Sequence, residues 1–228
     1  MIQTRTVSKV LGAGMLTIVI LALTACGSGS AQEEAKARPL PLYEQALSPG
    51  EYHSVAFEPS LSFEVGEGWS STEEQSSDYF QLRQQGEIGA LTFANVKEVF
   101  KPGTTKVQEA PQDLVGWLQH HPYLKTSKPR PVTVGGVKGE QLEVHVDHLP
   151  KDPNGYCEPV PMGCLDIFNQ SGGEQIGYFG KNFNARRVNV LGDVKGDTVV
   201  IWYAGPPDTF EKFAPRAQKV VDSVKWSG

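Results

Sequence analysis

Glu143, His145 and Asp147 alternate along one stretch of the chain, and His148 follows directly. On a β-strand, side chains two residues apart share a face and lie about 7 Å from one another. A carboxylate, an imidazole and a second carboxylate on one face are donors suited to a divalent metal, or to acid–base work. Alternate polar residues are also what the wet face of any half-buried strand shows. The triplet is therefore a candidate binding surface, with no catalytic or metal-ligating role assigned to it.

Other chemistry-bearing residues are sparse. His120 and His121 sit where a helix should end, so a cationic ring would suit the negative end of its dipole, or simply face water. Adjacent histidines point in different directions and chelate poorly. Arg186 and Arg187 open a strand and read as an anion site or as surface charge. The turn from Asp193 to Asp197 has two acids but not the twelve-residue ligand pattern of a calcium loop. The sequence contains no G-x-S-x-G, no phosphate-binding glycine loop and no H-E-x-x-H. No catalytic residue, metal ligand set or cofactor is expected.

The chain has 3 cysteines. Cys157 and Cys164 enclose a proline- and glycine-rich loop, and in an exported protein such a pair is most simply a structural disulfide. Closing so short a loop contributes about 2–3 kcal/mol in the chain-entropy model. A redox centre would favour C-x-x-C spacing, and a structural zinc site would need two further ligands.

The third cysteine, Cys26, ends an export-like segment. Arg5 and Lys9 precede an uncharged apolar run from Val10 to Leu23, and Leu23-Thr24-Ala25-Cys26 follows. The run is shorter than the roughly 20 residues a bilayer span needs. Leu23 to Cys26 resembles the lipobox of bacterial lipoproteins. That resemblance implies cleavage before Cys26, a lipid-bearing thiol, and a domain held at the extracytoplasmic face of the cell membrane. Residues 1–25 then form the signal peptide. Its basic residues are lost on cleavage, so the mature part is more acidic than the full chain's net charge of −5. Such a protein gains little from counterion release on nucleic acid and lacks a basic stripe for anionic lipid. Residues 26–51 mix glycine, serine, charges and prolines, and are expected to be a flexible tether spanning about 25 Å.

The remainder, 52–228, is expected to be a single α+β domain: a mostly antiparallel sheet covered by two helices. Leu61 to Val65, Tyr79 to Arg83 and Leu91 to Val99 read as strands. Val132 to Val137 carries the paired glycines of a hairpin. Its return strand sets Leu142, Val144 and Val146 against Glu143, His145 and Asp147. Leu165 to Asn169 and Gly177 to Phe179 are weaker strands. Val188 to Leu191 and Thr198 to Tyr203 make another hairpin. The first helix runs from Pro111 to His121. The second runs from Asp208 to about Val224, with a capping-box-like Asp208 and Glu211, and with apolar residues at helical spacing from Phe210 to Val224.

The segments L-S-F-E-V-G-E-G-W (61–69), P-V-T-V-G-G-V-K-G (131–139), D-V-K-G-D-T-V-V-I (193–201) and F-A-P-R-A-Q-K-V-V-D-S-V-K-W (213–226) resemble exported bacterial lipoproteins with PsbP-like domains, of the Mog/PsbP type. The resemblance covers roughly residues 52–226. It implies an α/β/α sandwich around an antiparallel sheet, and a family whose members mostly bind or assemble without catalysing. The lipobox and cysteine pair set this chain apart from the photosynthetic members, so the fold is what carries over.

The expected function is that of a membrane-anchored, non-catalytic binding or assembly module with an envelope protein as partner. Two alternatives are an envelope hydrolase with an unrecognised site and a solute-binding lipoprotein of a transporter.

Overall fold

Strand residues of period two and helix residues of period three to four place the apolar side chains on two separate surfaces, and the architecture follows from how these meet. The computed structural model describes residues 37–86, 89–151, 164–170, 175–180 and 185–227. Cys26, with the expected signal peptide, and Cys157 lie outside the described residues. Lys36–Gly228 group as one compact unit.

In chain order the elements are β1 (Arg38–Pro39), β2 (Gln45–Ala46), β3 (Gly50–His53), β4 (Leu61–Val65), β5 (Trp69–Gln75), β6 (Tyr79–Gln84), β7 (Ala90–Asn95), β8 (Glu98–Phe100) and β9 (Val107–Glu109). Helix α1 (Leu114–Gln119) precedes β10 (Leu124–Thr126), β11 (Arg130–Val134), β12 (Val137–Val146), β13 (Cys164–Asn169), β14 (Gln175–Gly180), β15 (Ala185–Val194) and β16 (Asp197–Gly205). Helix α2 (Pro207–Asp222) and β17 (Lys225–Trp226) close the chain.

Among the described residues the largest sheet has the order β10-β12-β15-β16-β7-β6-β5-β2, with β11 also paired to β12. Two smaller sheets run β1-β3-β4-β17 and β14-β13-β8-β9. Only β1 and β3 pair in parallel; the other described pairs are antiparallel. Over its described residues the chain is thus α+β, mostly antiparallel, with two helices, and richer in strands than the sequence suggests.

Strand β16 shows how the core is built. Val199, Ile201 and Tyr203 join one buried cluster, with Leu61, Phe63 and Val65 of β4 and the apolar side of α2. Val200, Trp202 and Ala204 join a second, with Leu142, Val144 and Val146 of β12 and Leu114, Val115 and Leu118 of α1. Alternation that normally divides dry from wet here divides one dry side from another. In the first cluster Phe80 and Phe93 stack at 4.6 Å between ring centres, and Phe63 stacks on Phe80 at 5.7 Å. Such pairs add about 0.5–1.5 kcal/mol each beyond the area they bury. In β13 a register irregularity between Asp166 and Phe168 lets the consecutive residues Ile167 and Phe168 both enter the second cluster.

Three sequence expectations are corrected at element ends. The expected tether, 26–51, overlaps three strands, and order begins well before Tyr52. The reason is Arg38, which donates to the Ser48 and Pro49 carbonyls at 2.7 and 2.9 Å and lies 4.3 Å from the Tyr52 ring centre. Leu40 and Leu47 are buried beside it. The first helix is shorter than 111–121: Asp113 caps it, accepting the Gly116 N–H at 2.7 Å. The second begins with Pro206 as its N-cap and proline at the first helical position, so Asp208 lies inside the first turn and no capping box forms. Pro215 stands on the exposed side of α2, where water can satisfy the carbonyl that it leaves without a donor.

Candidate functional site

Strand β12 does alternate as its sequence indicates, with Leu142, Val144 and Val146 buried. Its polar residues, however, go to different partners. Glu143 accepts a hydrogen bond from Arg187 Nε at 2.7 Å, across the β12–β15 pair. His145 lies opposite Lys125 of β10. Asp147 stands just past the strand, with one carboxylate oxygen 3.1 Å from His148 Nδ1 and the other 3.7 Å from Lys125 Nζ. The three residues do not converge on a point. Among the described residues no group of three or more histidines, cysteines or acids is placed to hold a metal ion.

Arg187 is held further by rings: its guanidinium carbon lies 5.6 Å from the Tyr203 ring centre and 6.0 Å from that of Phe210. Tyr203 in turn donates its hydroxyl proton to Gln218 of α2. Burial opposes the Arg187 charge most strongly, but the Glu143 hydrogen bond and the Tyr203 and Glu143 contacts together outweigh it and hold the guanidinium above its usual range. Burial also raises the Tyr203 hydroxyl. Beside them, Gln141 donates to Asn189 at 2.7 Å. This polar wall between the sheet and α2 is internally satisfied, so Glu143 and Arg187 serve packing and register. Arg186, on the opposite side of β15, is buried.

The adjacent histidines separate completely. His120 is exposed, with Nδ1 2.7 Å from the Gly116 carbonyl. His121 is 4% exposed, and burial pushes its pKa down to about 4, so the ring is neutral rather than a cation facing the helix dipole. It lies edge-on to Trp117 at 5.0 Å and to Tyr123 at 6.0 Å, and Tyr123 lies edge-on to His148 at 5.3 Å.

Tyr123 and His148 belong to an open cleft of about 720 Å³. One wall is the β8–β9 turn, residues 103–106, and the other is the chain leaving β12, residues 148–151. The turn is closed by the Lys101 N–H donating to the Lys106 carbonyl at 2.8 Å. Gly103, at φ 67°, lets it approach Tyr123 closely: a Cβ there would stand 2.8 Å from the tyrosine hydroxyl oxygen. Lys106 and Lys151 bring a cation to each wall. Sequence reasoning missed this cleft. The Pro102-Gly103 dipeptide marks the turn, but only the packed structure shows that it faces Tyr123. Of the expected surface, Asp147 adjoins the cleft through His148, whereas Glu143 belongs to the polar wall.

Cys164 opens β13 and is buried.

No protein-family model matches the chain. No curated protein sequence matches it. Among solved structures, it is similar to the solution structure of cyanobacterial PsbP (CyanoP) from Synechocystis sp. PCC 6803, at 9% identity and a TM-score of 0.42, over 79% of this chain and 95% of that chain.

Proposed function

We propose that this protein is a lipid-anchored, extracytoplasmic module that binds a partner without transforming it, built on a PsbP-like domain of the α/β/α sandwich type. The observation that carries the reading is the open cleft between residues 103–106 and 148–151, paved by Tyr123. A wall formed by a closed turn, an aromatic side chain and a lysine on each wall suit docking. The anchor part rests on the sequence of Leu23 to Cys26. Cys164 is proposed to pair with Cys157 and tie down the segment before β13.

The test combines fractionation with capture. Cys26→Ser should move the protein out of the membrane fraction and abolish fatty-acid labelling; persistent labelling rejects the anchor. The full chain, captured from its own membranes after crosslinking, should recover a partner that the variant Lys106→Glu/Tyr123→Ala recovers poorly. Triple alanine substitution at Glu143, His145 and Asp147 tests the surface expected from sequence; retained capture removes it from the site. Recovery of no partner rejects the module reading.

A second reading, an envelope hydrolase, draws on one observation. Asp147 lies 3.1 Å from His148 Nδ1, as an orienting carboxylate does, and Thr104 and Thr105 line the same cleft. Turnover of an envelope substrate that is lost in His148→Ala would favour it.

A further inference from the structure

The cleft concentrates positive charge in a chain whose net charge is −5. Lys106 and Lys151 stand on its two walls, and no carboxylate among the described residues lines it. Asp147, beside it in sequence, is already engaged by His148 and Lys125. The rest of the lining is mixed, with Leu149, Pro150 and Tyr123 supplying apolar and aromatic surface and Thr104, Thr105 and His148 polar groups, and Val107, 41% exposed, adjoins Lys106. The cleft is broadly open to solvent, unlike sites for small molecules, which enclose most of the ligand surface. The wall made by residues 103–106 is set before binding, since the turn is closed on itself and seated against Tyr123, so little ordering of that wall opposes an incoming chain.

We propose that this cleft receives an extended acidic peptide segment of a partner protein. Carboxylates would meet Lys106 and Lys151, and an apolar side chain between them would rest on Tyr123 and Leu149. The inference deepens the binding-module reading and depends on it. Exposed ion pairs are individually weak and screened by salt. The expected affinity for a short segment is therefore modest, with a Kd on the order of 100 µM that rises several-fold when ionic strength is raised.

The test uses the full chain in neutral detergent micelles and a labelled hexapeptide of alternating glutamate and leucine. Its glutamine–leucine counterpart, inorganic phosphate and a sulfated oligosaccharide serve as comparison arms. The acidic peptide should bind saturably, and the glutamine peptide should bind about tenfold more weakly. Lys106→Glu/Lys151→Glu should lower affinity about tenfold or more, with Lys106→Gln/Lys151→Gln intermediate and its melting temperature checked against the parent. Absence of saturable binding at millimolar peptide overturns the proposal. So does equal binding of the glutamine peptide, or unchanged affinity in the charge-reversed variant. Tight binding of phosphate or the sulfated sugar, without competition by the peptide, reassigns the cleft to those anions. Partner capture that survives Lys106→Glu/Lys151→Glu rejects this inference while leaving the module reading in place.

Discussion

Glu143 and Arg187 face each other across the β12–β15 pair, and the carboxylate accepts the Nε–H at 2.7 Å with the two side chains 26% and 24% exposed. Their contact converts two residues that look reactive in sequence into a structural brace. A double-mutant cycle at the two positions should give a coupling of about 1 kcal/mol, since the pair is half-shielded from water. Arg187→Ala should cost more than Glu143→Ala, because the guanidinium also covers Tyr203 and Phe210. Denaturant melts of the three variants check both statements.

Phe213 is fully buried, 6.0 Å from the Trp69 ring centre, and fills the space in front of Gly89, where a Cβ would stand 2.6 Å from its ring. Phe213→Ala should destabilise by about 3–5 kcal/mol. Tyr43→Ala, at a residue 63% exposed, should change stability by less than about 0.5 kcal/mol. Equal effects in thermal unfolding would reject the packing of α2 on the sheet.

Gly139 and Gly192 offer a matched pair of backbone tests. A Cβ at 139 would meet the Val190 carbonyl oxygen at 2.3 Å and Leu191 Cδ2 at 2.6 Å, whereas one at 192 meets nothing within 4 Å. Gly139→Ala should cost about 1–3 kcal/mol and disturb the β12–β15 pair. Gly192→Ala should leave stability within about 0.5 kcal/mol.

Two buried groups should give the stability curve opposing slopes. Burial lowers His121 from 6.5 to about 4, so its contribution is complete above pH 6.5 and is lost as pH falls toward 4. Burial raises Asp166 from 3.8 to about 6, so its contribution is complete below pH 3.8 and is lost as pH rises through 6. Each is worth at most about 3 kcal/mol, and between pH 4 and 6 they oppose each other. Asp166→Asn should therefore leave stability falling with acidification in that window. His121→Gln should leave it falling as pH rises. Urea melts at half-unit pH steps in the two variants read the slopes directly.

Much of the fold was legible where one period dominates. Leu142, Val144 and Val146 mark one side of β12, and Phe210, Phe213, Ala217, Val220 and Val221 mark the buried side of α2. The start of the domain was not legible, because Leu40 and Leu47 belong to no period and are fixed by Arg38 reaching carbonyls ten and eleven residues ahead. His121 misled for a related reason: α1 ends at Gln119, and the chain turns the ring inward against Trp117. The cleft was invisible because residues 103–106 join strands of one sheet while Tyr123 and 148–151 flank strands of another, and the two meet by packing in the second buried cluster. Polar residues at regular spacing drew attention to Glu143, His145 and Asp147, yet spacing along a strand says nothing of what the neighbouring strand presents.

Because both sides of β16 are dry, polarity does not defend its alignment with β7 and β15. A shift of one residue would still bury apolar groups on each side, unlike a shift in a half-wet strand. Volume and turn geometry must do that work. Trp202 and Ala204 serve one cluster, Ile201 and Tyr203 the other, and exchanging them would withdraw the Tyr203 hydroxyl from Gln218. The tight reversal at Lys195 and Gly196, both at positive φ, and the irregularity after Leu191 fix the count of residues between β15 and β16. Misalignment during folding should therefore be governed by the corner between the paired Leu191 and Val199, and lengthening it by one residue should yield a collapsed but mispaired chain rather than an unfolded one.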